Sequence, residues 1–363
     1  MAALALHEFH QALNARFVEL DGAERVSDYG NALAEHAALR ASAGVIDLSF
    51  RSRLCLTGAD RQRFLNGQVT NNVKDLKPGQ GCYAALVTAK GKMVSDLNIF
   101  CLPDELLLDF EPGLSGTVVQ RFEKYIIADD VQLVDAAPHY GLLSVQGPKS
   151  GEVVNQLELG FKLPDTPLHF THTKDSMLGE IYCMNQPRLA TAGFDLFVPV
   201  AALGAVADKL VAAAKKVGGC AGGWQALEMA RIEAGLPRFG ADMDETNLAP
   251  EAGLDERAIS YSKGCYIGQE VIARIRTYGQ VAKSLRGLLL PDELPELPKR
   301  GDKLFHDGKE CGFITSALAS PAFHRTIALG YVRRECNEPG TELRLRFEEK
   351  EFPAQIVPLP FQF

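Results

Sequence analysis

Asp96 is an acidic residue among apolar neighbours in the sequence, and a carboxyl group in such a place could take part in binding or proton transfer. It interrupts the apolar run 93–99, and strand alternation places it on one face with Val94 and Asn98. An acid held there could hydrogen-bond the nitrogens of a ligand, or act as a general acid or base if burial raised its pKa. The same alternation suits an aspartate on the solvent-exposed face of a half-buried strand. The strand pattern leaves both interpretations open.

Glu233 is a second candidate carboxylate, in the last turn of a helix predicted over residues 224–234 and terminated by Gly235 and Pro237. A negative charge is unfavourable at that end of the helix dipole, so this glutamate stabilises its own helix poorly and is a better candidate for binding. A carboxylate can accept two side-by-side N–H donors, as it does from arginine. Spacing alone favours the alternative, a solvated glutamate paired with a basic neighbour.

Cys265 is a candidate reactive thiol. Lys263 precedes it by two residues, and a helix is predicted to start near Gly268. An ammonium group and a helix N-terminus both favour the thiolate. The alternative is a small buried apolar side chain. One thiol cannot hold a metal cluster, so its role would be redox chemistry, ligand sharing with a partner, or covalent capture.

The helices and strands that must position these residues are predicted from two patterns, helical periodicity and strand alternation. Helices are predicted over 7–41 (with an interruption at Asp21 and Gly22), 61–67, 201–216 and 224–234. Strands are predicted over 53–57, 81–88, 92–102 and, in a strand-rich tail that starts at 281, over 285–290, 312–316, 327–332 and 342–347. Mixed elements followed by an all-β tail predict α+β subdomains and a C-terminal β-barrel.

Length and composition narrow the classes of protein. The chain has 363 residues, a net charge of −8, 46% hydrophobic and 23% charged residues, so disorder, collagen and coiled coil are excluded. The acidic balance argues against a nucleic-acid partner. No apolar run is long enough to span a membrane, and the N-terminus lacks the basic start of a signal peptide. We therefore expect a cytoplasmic protein.

The eight cysteines are widely spaced. The closest two, Cys82 and Cys101, stand 19 positions apart, so the close spacing typical of zinc and iron–sulfur sites is missing. We expect most of them to be small buried side chains in a reducing compartment, and no metal bound by this chain alone.

Three stretches of the sequence resemble one family. They are GQVTNNV at 67–73, continued by PGQG at 78–81 and KGKMVSDL at 90–97; RIEAGLP at 231–237, continued by GAD at 240–242 and PEAGL at 250–254; and KGCYIGQEV at 263–271. All three resemble the folate-binding superfamily of the glycine-cleavage T-protein, an aminomethyltransferase. The third, with its cysteine and Gly-Gln-Glu, resembles the YgfZ branch, implicated in iron–sulfur cluster assembly or repair.

The resemblance implies a fold that the residue pattern alone does not supply. It implies two interleaved ferredoxin-like α+β subdomains within residues 1–280 and a C-terminal β-barrel within 281–363. The T-protein-like arrangement would be three-lobed, with tetrahydrofolate in a central channel.

It also implies roles for individual residues. Glu233 would bind the pterin edge of tetrahydrofolate or a one-carbon derivative, and Asp96 would position the folate for one-carbon transfer. Tyr83 is predicted to wall the pteridine, although a strand tyrosine is more often part of the core. Arg274 and Arg276 share a face if their segment is extended, and are predicted to hold the glutamate tail of folate. A solvated charged face is the alternative for the two arginines.

The third stretch supplies a motif of seven residues: Lys263, Gly264, Cys265, Tyr266, Gly268, Gln269 and Glu270. Its glycines suit tight turns and close approach, and Tyr266 suits packing. Asp96 and Cys265 are the predicted catalytic residues.

Two functions follow from the resemblance. The first is a tetrahydrofolate-binding protein that supports assembly or repair of iron–sulfur enzymes, with folate held by buried carboxylates and Cys265 at the pocket. Its partners would be iron–sulfur proteins or assembly factors. The alternative is a tetrahydrofolate-dependent aminomethyltransferase or related one-carbon transferase. A folate store without turnover is a third possibility, so enzymatic activity is left open.

Overall fold

The computed structural model describes residues 3–279, 281–347 and 350–361. Within these ranges the α-helices are α1 His7–Ala12, α2 Ala32–Ala41, α3 Arg61–Gln68, α4 Ser115–Glu123, α5 Ser150–Asn155, α6 Val200–Lys216, α7 Trp224–Glu233, α8 Asp255–Ala258 and α9 Gln269–Tyr278. Short 3₁₀ helices cover Ala249–Ala252 and Arg334–Cys336. None of the helices in this part of the chain combines the length and apolarity needed to cross a membrane.

The strands follow in chain order. They are β1 Arg16–Leu20, β2 Ala23–Asp28, β3 Gly44–Asp47, β4 Ser52–Thr57, β5 Gln80–Val87, β6 Met93–Cys101, β7 Leu106–Phe110, β8 Gln132–Asp135, β9 Tyr140–Gln146, β10 Phe170–Asp175, β11 Gly179–Asn185, β12 Gly193–Pro199, β13 Cys220–Ala221, β14 Lys283–Leu290, β15 Lys303–His306, β16 Lys309–Ser320, β17 Arg325–Arg333, β18 Glu342–Phe347 and β19 Lys350–Val357.

The chain divides into two compact units. The first unit comprises Met1–Ala84 and Asp96–Ala230, and the second comprises Ala85–Ser95 and Arg231–Phe363. The division falls inside β5, β6 and α7, so each of these elements belongs partly to both units.

The first unit contains the two-stranded sheet β1-β2 and two larger sheets, with strand orders β10-β11-β12-β9-β3-β13 and β5-β6-β7-β4-β8. Apolar residues of α5 and α6 pack with strands of the six-stranded sheet in one core cluster. A second cluster joins Leu142 and Phe197 of that sheet to Phe100 and Leu107 of the five-stranded sheet. Strands β3, β9 and β12 of the six-stranded sheet are therefore shielded on both faces, which explains their largely apolar sequences.

The second unit contains a closed barrel of strand order β14-β17-β16-β15-β18-β19. Leu288, Ile314, Ala328, Leu345 and Ile356 are buried in the cluster at its centre. These residues come from five strands whose side chains alternate between the interior and the exterior, as closure of a small barrel requires.

The structure confirms the predicted fold class of α+β elements with a C-terminal β-barrel. The helical pattern predicted over 7–41 is wrong in its middle, where β1 and β2 form a hairpin. The interruption predicted at Asp21 and Gly22 is the turn of that hairpin, and both residues have positive φ. The domain boundary between 280 and 281 stays a prediction, and Gln280 lies outside the described residues.

Candidate functional site

Asp96 lies on β6 next to Tyr83 of the neighbouring strand β5. The Tyr83 hydroxyl donates a hydrogen bond of 2.8 Å to Asp96 Oδ2. Burial raises the pKa of Asp96, and the negative charge of Glu111 raises it further, against the opposing effects of Tyr83 and Arg51. The structure therefore brings two predicted site residues together, with the aspartate set up to hold a proton at higher pH than usual.

Close to this pair lies a buried ion network that the sequence did not predict. Arg51 Nε donates to Asp109 Oδ1 at 2.7 Å, and Arg51 Nη1 donates to Glu111. Asn98, on the same face of β6 as Asp96, donates to Asp109 Oδ2 at 3.0 Å. Burial would raise the pKa of Asp109, but the nearby arginines outweigh it and hold that pKa well below its usual range.

The network continues through Arg188. Its Nη2 donates to Asp109 Oδ2 at 3.0 Å and to Asp195 Oδ2 at 2.5 Å. The Ser144 hydroxyl donates to Asp195 Oδ1 at 2.7 Å. Burial raises the pKa of Asp195, and Arg188 only partly offsets this. The charged groups thus connect strands of both sheets of the first unit.

The signal that singled out Asp96 would also have found two members of this network. Asp109 interrupts the apolar run 106–110, and Asp195 interrupts 194–198, each as an isolated acid in a strand. What the sequence does not reveal is that Arg51 and Arg188, from separate loops, converge on them.

Glu233, in the second unit, ends α7 and is buried, with 5% of its surface exposed. Its Oε1 accepts hydrogen bonds from Ser320 Oγ at 2.5 Å and from the Ala322 amide at 3.1 Å. Both of these donors are neutral. The alternative of a solvated glutamate is therefore wrong, because the barrel loop covers the side chain. Binding of a pterin edge by Glu233 stays a prediction.

A second contact fixes the same end of α7. Arg231 donates to Asp242 through Nη1 and to Ser316 Oγ through Nη2 at 3.0 Å. Asp242 Oδ1 also accepts from Thr315 and Ser316 on β16, at 2.6 and 2.7 Å. The RIEAGLP and GAD stretches thus meet the barrel through buried hydrogen bonds.

Residues 263–268 of the motif form a loop that leads into α9, and Gln269 and Glu270 begin the helix. Cys265 and Gly264 are exposed, while Lys263 and Tyr266 are buried, with Lys263 Nζ 5.0 Å from the centre of the Tyr266 ring. Burial raises the pKa of Tyr266 to about 12. Among the eight cysteines, all of which the structure describes, Cys265 is the exposed one, and five are buried as expected.

Gly268 sets the entry to α9. Its φ is +85°, and a Cβ at this position would meet Thr88 O at 2.5 Å. The predicted helix start is confirmed, since α9 begins at Gln269. Glycine is required here both for the left-handed backbone and for the close approach of the β5–β6 turn.

The segment of Arg274 and Arg276 is not extended, so the condition under which they would share a face is not met. Their segment is helix α9, in which residues two apart point to different sides. Arg274 pairs with exposed Glu270 at 2.9 Å, and the Arg276 guanidinium lies 4.1 Å from the centre of the Tyr261 ring. Binding of a folate tail by either arginine stays a prediction.

No metal site is apparent in the described ranges. Among residues 3–279, 281–347 and 350–361, no group of three or more His, Cys, Asp and Glu side chains is arranged to hold a metal ion.

Comparison with known proteins gives consistent matches over nearly the whole chain. The family model of the GCVT N-terminal domain matches residues 6–263, and that of the glycine cleavage T-protein C-terminal barrel domain matches residues 283–362. An aminomethyltransferase of Rubrobacter xylanophilus is 30% identical, covering 98% of this chain and 93% of its own length. One of Halothermothrix orenii is 26% identical over 99% and 100%.

A solved structure shares the fold. The aminomethyltransferase T of the Bartonella henselae glycine cleavage system superposes with a TM-score of 0.88 at 22% identity, covering 99% of this chain and 98% of the other.

Proposed function

Because the chain belongs to the glycine cleavage T-protein family, we propose that it binds tetrahydrofolate or a one-carbon derivative and acts as a one-carbon transferase of the aminomethyltransferase class. The observation that carries this proposal is Asp96, a carboxyl with a raised pKa that is oriented by Tyr83. Curated relatives that span the whole chain are named aminomethyltransferases, which favours transfer over the iron–sulfur role.

Glu233 is the proposed pterin-binding residue. A pterin presents neighbouring N–H donors in a guanidine-like edge, and a buried carboxylate suits such donors. Ser320 and Ala322 donate to this carboxylate as neutral groups, so neither removes the charge that attracts the donors. The Glu233 carboxylate therefore suits the pterin edge. A folate analogue that lacks those N–H groups would leave a buried acceptor unsatisfied.

Asp96 is the proposed general acid or base. Tetrahydrofolate, when bound, would supply the nitrogens that accept the one-carbon unit. Asp96 would hydrogen-bond a reacting nitrogen or exchange a proton with it. Its raised pKa is closer to neutral pH than that of an ordinary aspartate, which suits proton exchange. Tyr83 holds Oδ2, which restricts the orientation of the carboxyl group.

The test is an assay with an aminomethyl-lipoyl carrier protein. We expect wild type to release methylene-tetrahydrofolate and ammonia. Asp96→Asn should lower kcat by roughly 10²- to 10³-fold, in the range for loss of a general acid or base, while tetrahydrofolate affinity stays within about twofold. Failure of the wild type to turn over the carrier would refute the transferase proposal.

Titration calorimetry tests the pterin contact separately. Glu233→Ala should weaken tetrahydrofolate binding by about 2–3 kcal/mol, because the pterin donors lose their buried partner. Glu293→Ala, at an exposed position of the same unit, is the matched control and should bind as the wild type does. Equal affinities of the Glu233 and Glu293 variants would remove Glu233 from the site.

The exposure of Cys265 favours a second candidate function, support of iron–sulfur enzymes. A thiol that contacts a partner or its cluster must be accessible, and this one is. In cells that lack the gene, a Cys265→Ala copy should then fail to restore iron–sulfur enzyme activity. Cys220→Ala, at a half-buried cysteine, should restore it. Equal restoration by both copies would count against this function.

A further inference from the structure

The end of α7 is aligned with one face of β16. Ser316, Leu318 and Ser320 alternate onto the same side of the strand. Ser316 contacts Arg231, and Ser320 contacts Glu233. Leu318 packs against the apolar cluster that contains Ile232, the residue between them. Successive residues of the helix end are thus held by alternate residues of the strand.

From this alignment we propose that Ser320 is a positioning residue for ligand binding, one whose hydroxyl fixes the orientation of the Glu233 carboxylate. The proposal rests on the proposed function, in which Glu233 binds the pterin. It assigns Ser320 a role in recognition of the pterin edge without contact between Ser320 and the ligand.

The hydrogen bonds around Ser320 support this role. Its Oγ donates to Glu233 Oε1 at 2.5 Å and accepts from the Phe323 amide at 3.1 Å, so the hydroxyl proton is directed at the carboxylate. Ser320 itself is 3% exposed, so water cannot readily replace the hydroxyl. The Ala322 amide reaches the same oxygen, so a side-chain hydroxyl and a backbone amide both orient it.

A neutral donor suits this position. Glu233 carries its charge at the C-terminal end of α7, where the helix dipole disfavours it. Two hydrogen bonds from neutral groups offset that penalty and restrict the rotation of the carboxylate. A fixed acceptor recognises paired donors better than a freely rotating one, because less side-chain freedom is lost on binding.

The experiment compares Ser320→Ala with Ser320→Thr, which keeps the hydroxyl. We expect Ser320→Ala to weaken tetrahydrofolate binding by about fivefold to tenfold, as for loss of one ordinary hydrogen bond. Ser320→Thr should restore the affinity to within about twofold of wild type. Unfolding midpoints of all variants establish that each is folded at the temperature of the titration.

Ser316→Ala is the matched control, since it removes a hydroxyl four residues away on the same strand face. We expect it to lower the unfolding midpoint but leave affinity within about twofold. Equal losses of affinity in the Ser316 and Ser320 variants would overturn a specific positioning role. So would a folded Ser320→Ala protein that binds as wild type does.

A measurement of ligand selectivity tests the positioning role independently, because a change in the stability of the protein would not alter it. The affinity ratio between tetrahydrofolate and an analogue without the 2-amino group should fall in Ser320→Ala, because a misoriented acceptor gains less from that amino group. An unchanged ratio would contradict the inference. Glu233→Ala, run alongside, separates the two proposals. If Glu233→Ala leaves the affinity for tetrahydrofolate unchanged, the pterin contact of the proposed function is refuted. If Glu233→Ala weakens binding and Ser320→Ala does not, only the positioning role of Ser320 is refuted.

Discussion

Asp96 and Glu233 are both shielded carboxylates, but they are held in different ways. Asp96 lies beside a network of arginines and acids, and the charge of Glu111 contributes to its raised pKa. Glu233 is contacted by a hydroxyl and an amide. Charged neighbours change how firmly an acid holds its proton, and the donors to Glu233 restrict the rotation of its carboxylate. The comparison matches the two proposed roles, proton exchange for Asp96 and ligand recognition for Glu233.

The largest effect is expected at the ion network of the first unit. Arg188→Met should lower the free energy of unfolding by about 3–5 kcal/mol, because Asp195 and Asp109 lose a buried partner. Urea denaturation would measure the loss.

Lys162→Met is the control for this change. It breaks the ion pair with Asp165, in which both side chains are exposed, and should change stability by less than about 0.5 kcal/mol. Similar losses in the two variants would mean that burial does not strengthen the network.

A smaller effect is expected where neutral donors hold a carboxylate. Thr315→Val keeps the side-chain shape but removes the hydroxyl that donates to Asp242 at 2.6 Å. We expect a loss of about 1–2 kcal/mol in urea denaturation, since Arg231 and Ser316 still contact Asp242. A loss as large as that of Arg188→Met would erase the contrast between the two regions.

The pH dependence of stability should distinguish two acids of the first unit. Between the ordinary pKa of 3.8 and its raised folded-state value, Asp96 binds more protons in the folded chain than in the unfolded chain. Wild-type stability therefore falls through this window as pH rises. Asp96→Asn should remove that fall, so its stability relative to wild type should increase from pH 4 to pH 8.

Asp109→Asn should behave in the opposite way at neutral pH. The lowered pKa of Asp109 means that its charged form stabilises the fold above pH 3.8, and this stability is lost as pH falls below that value. Denaturation curves at pH 7 should show the Asp109 variant to be less stable than wild type. Relative stability that rises with pH in both variants would contradict the assignment.

The smallest effect on stability is expected at Cys265. Because its side chain is exposed, Cys265→Ala should change the free energy of unfolding by less than about 0.5 kcal/mol. Cys183→Ala, at a cysteine buried in the first unit, should cost about 1 kcal/mol or more as packing is lost. Equal losses would show that the Cys265 loop is packed more tightly than its exposure indicates.

Local patterns were sufficient to predict much of this molecule. Alternation and turn residues predicted α3, α6, α7 and four of the six barrel strands, β14, β16, β17 and β18, because these elements depend on neighbours in the sequence. The same patterns failed over residues 16–28, where the strands β1 and β2 form in a stretch that we predicted as helical. A hairpin pairs residues across a turn, and helical periodicity does not detect that pairing.

The candidate site, like the fold, was predictable from the sequence only in part. The sequence by itself determined which residues carry acids and thiols, and the motifs that identify the family. Only the tertiary structure decided that Tyr83 donates to Asp96, that two arginines from distant loops meet Asp109, and that Ser320 holds Glu233. These contacts join residues that are 13 to 87 positions apart, and their strength depends on exclusion of water, which folding alone provides.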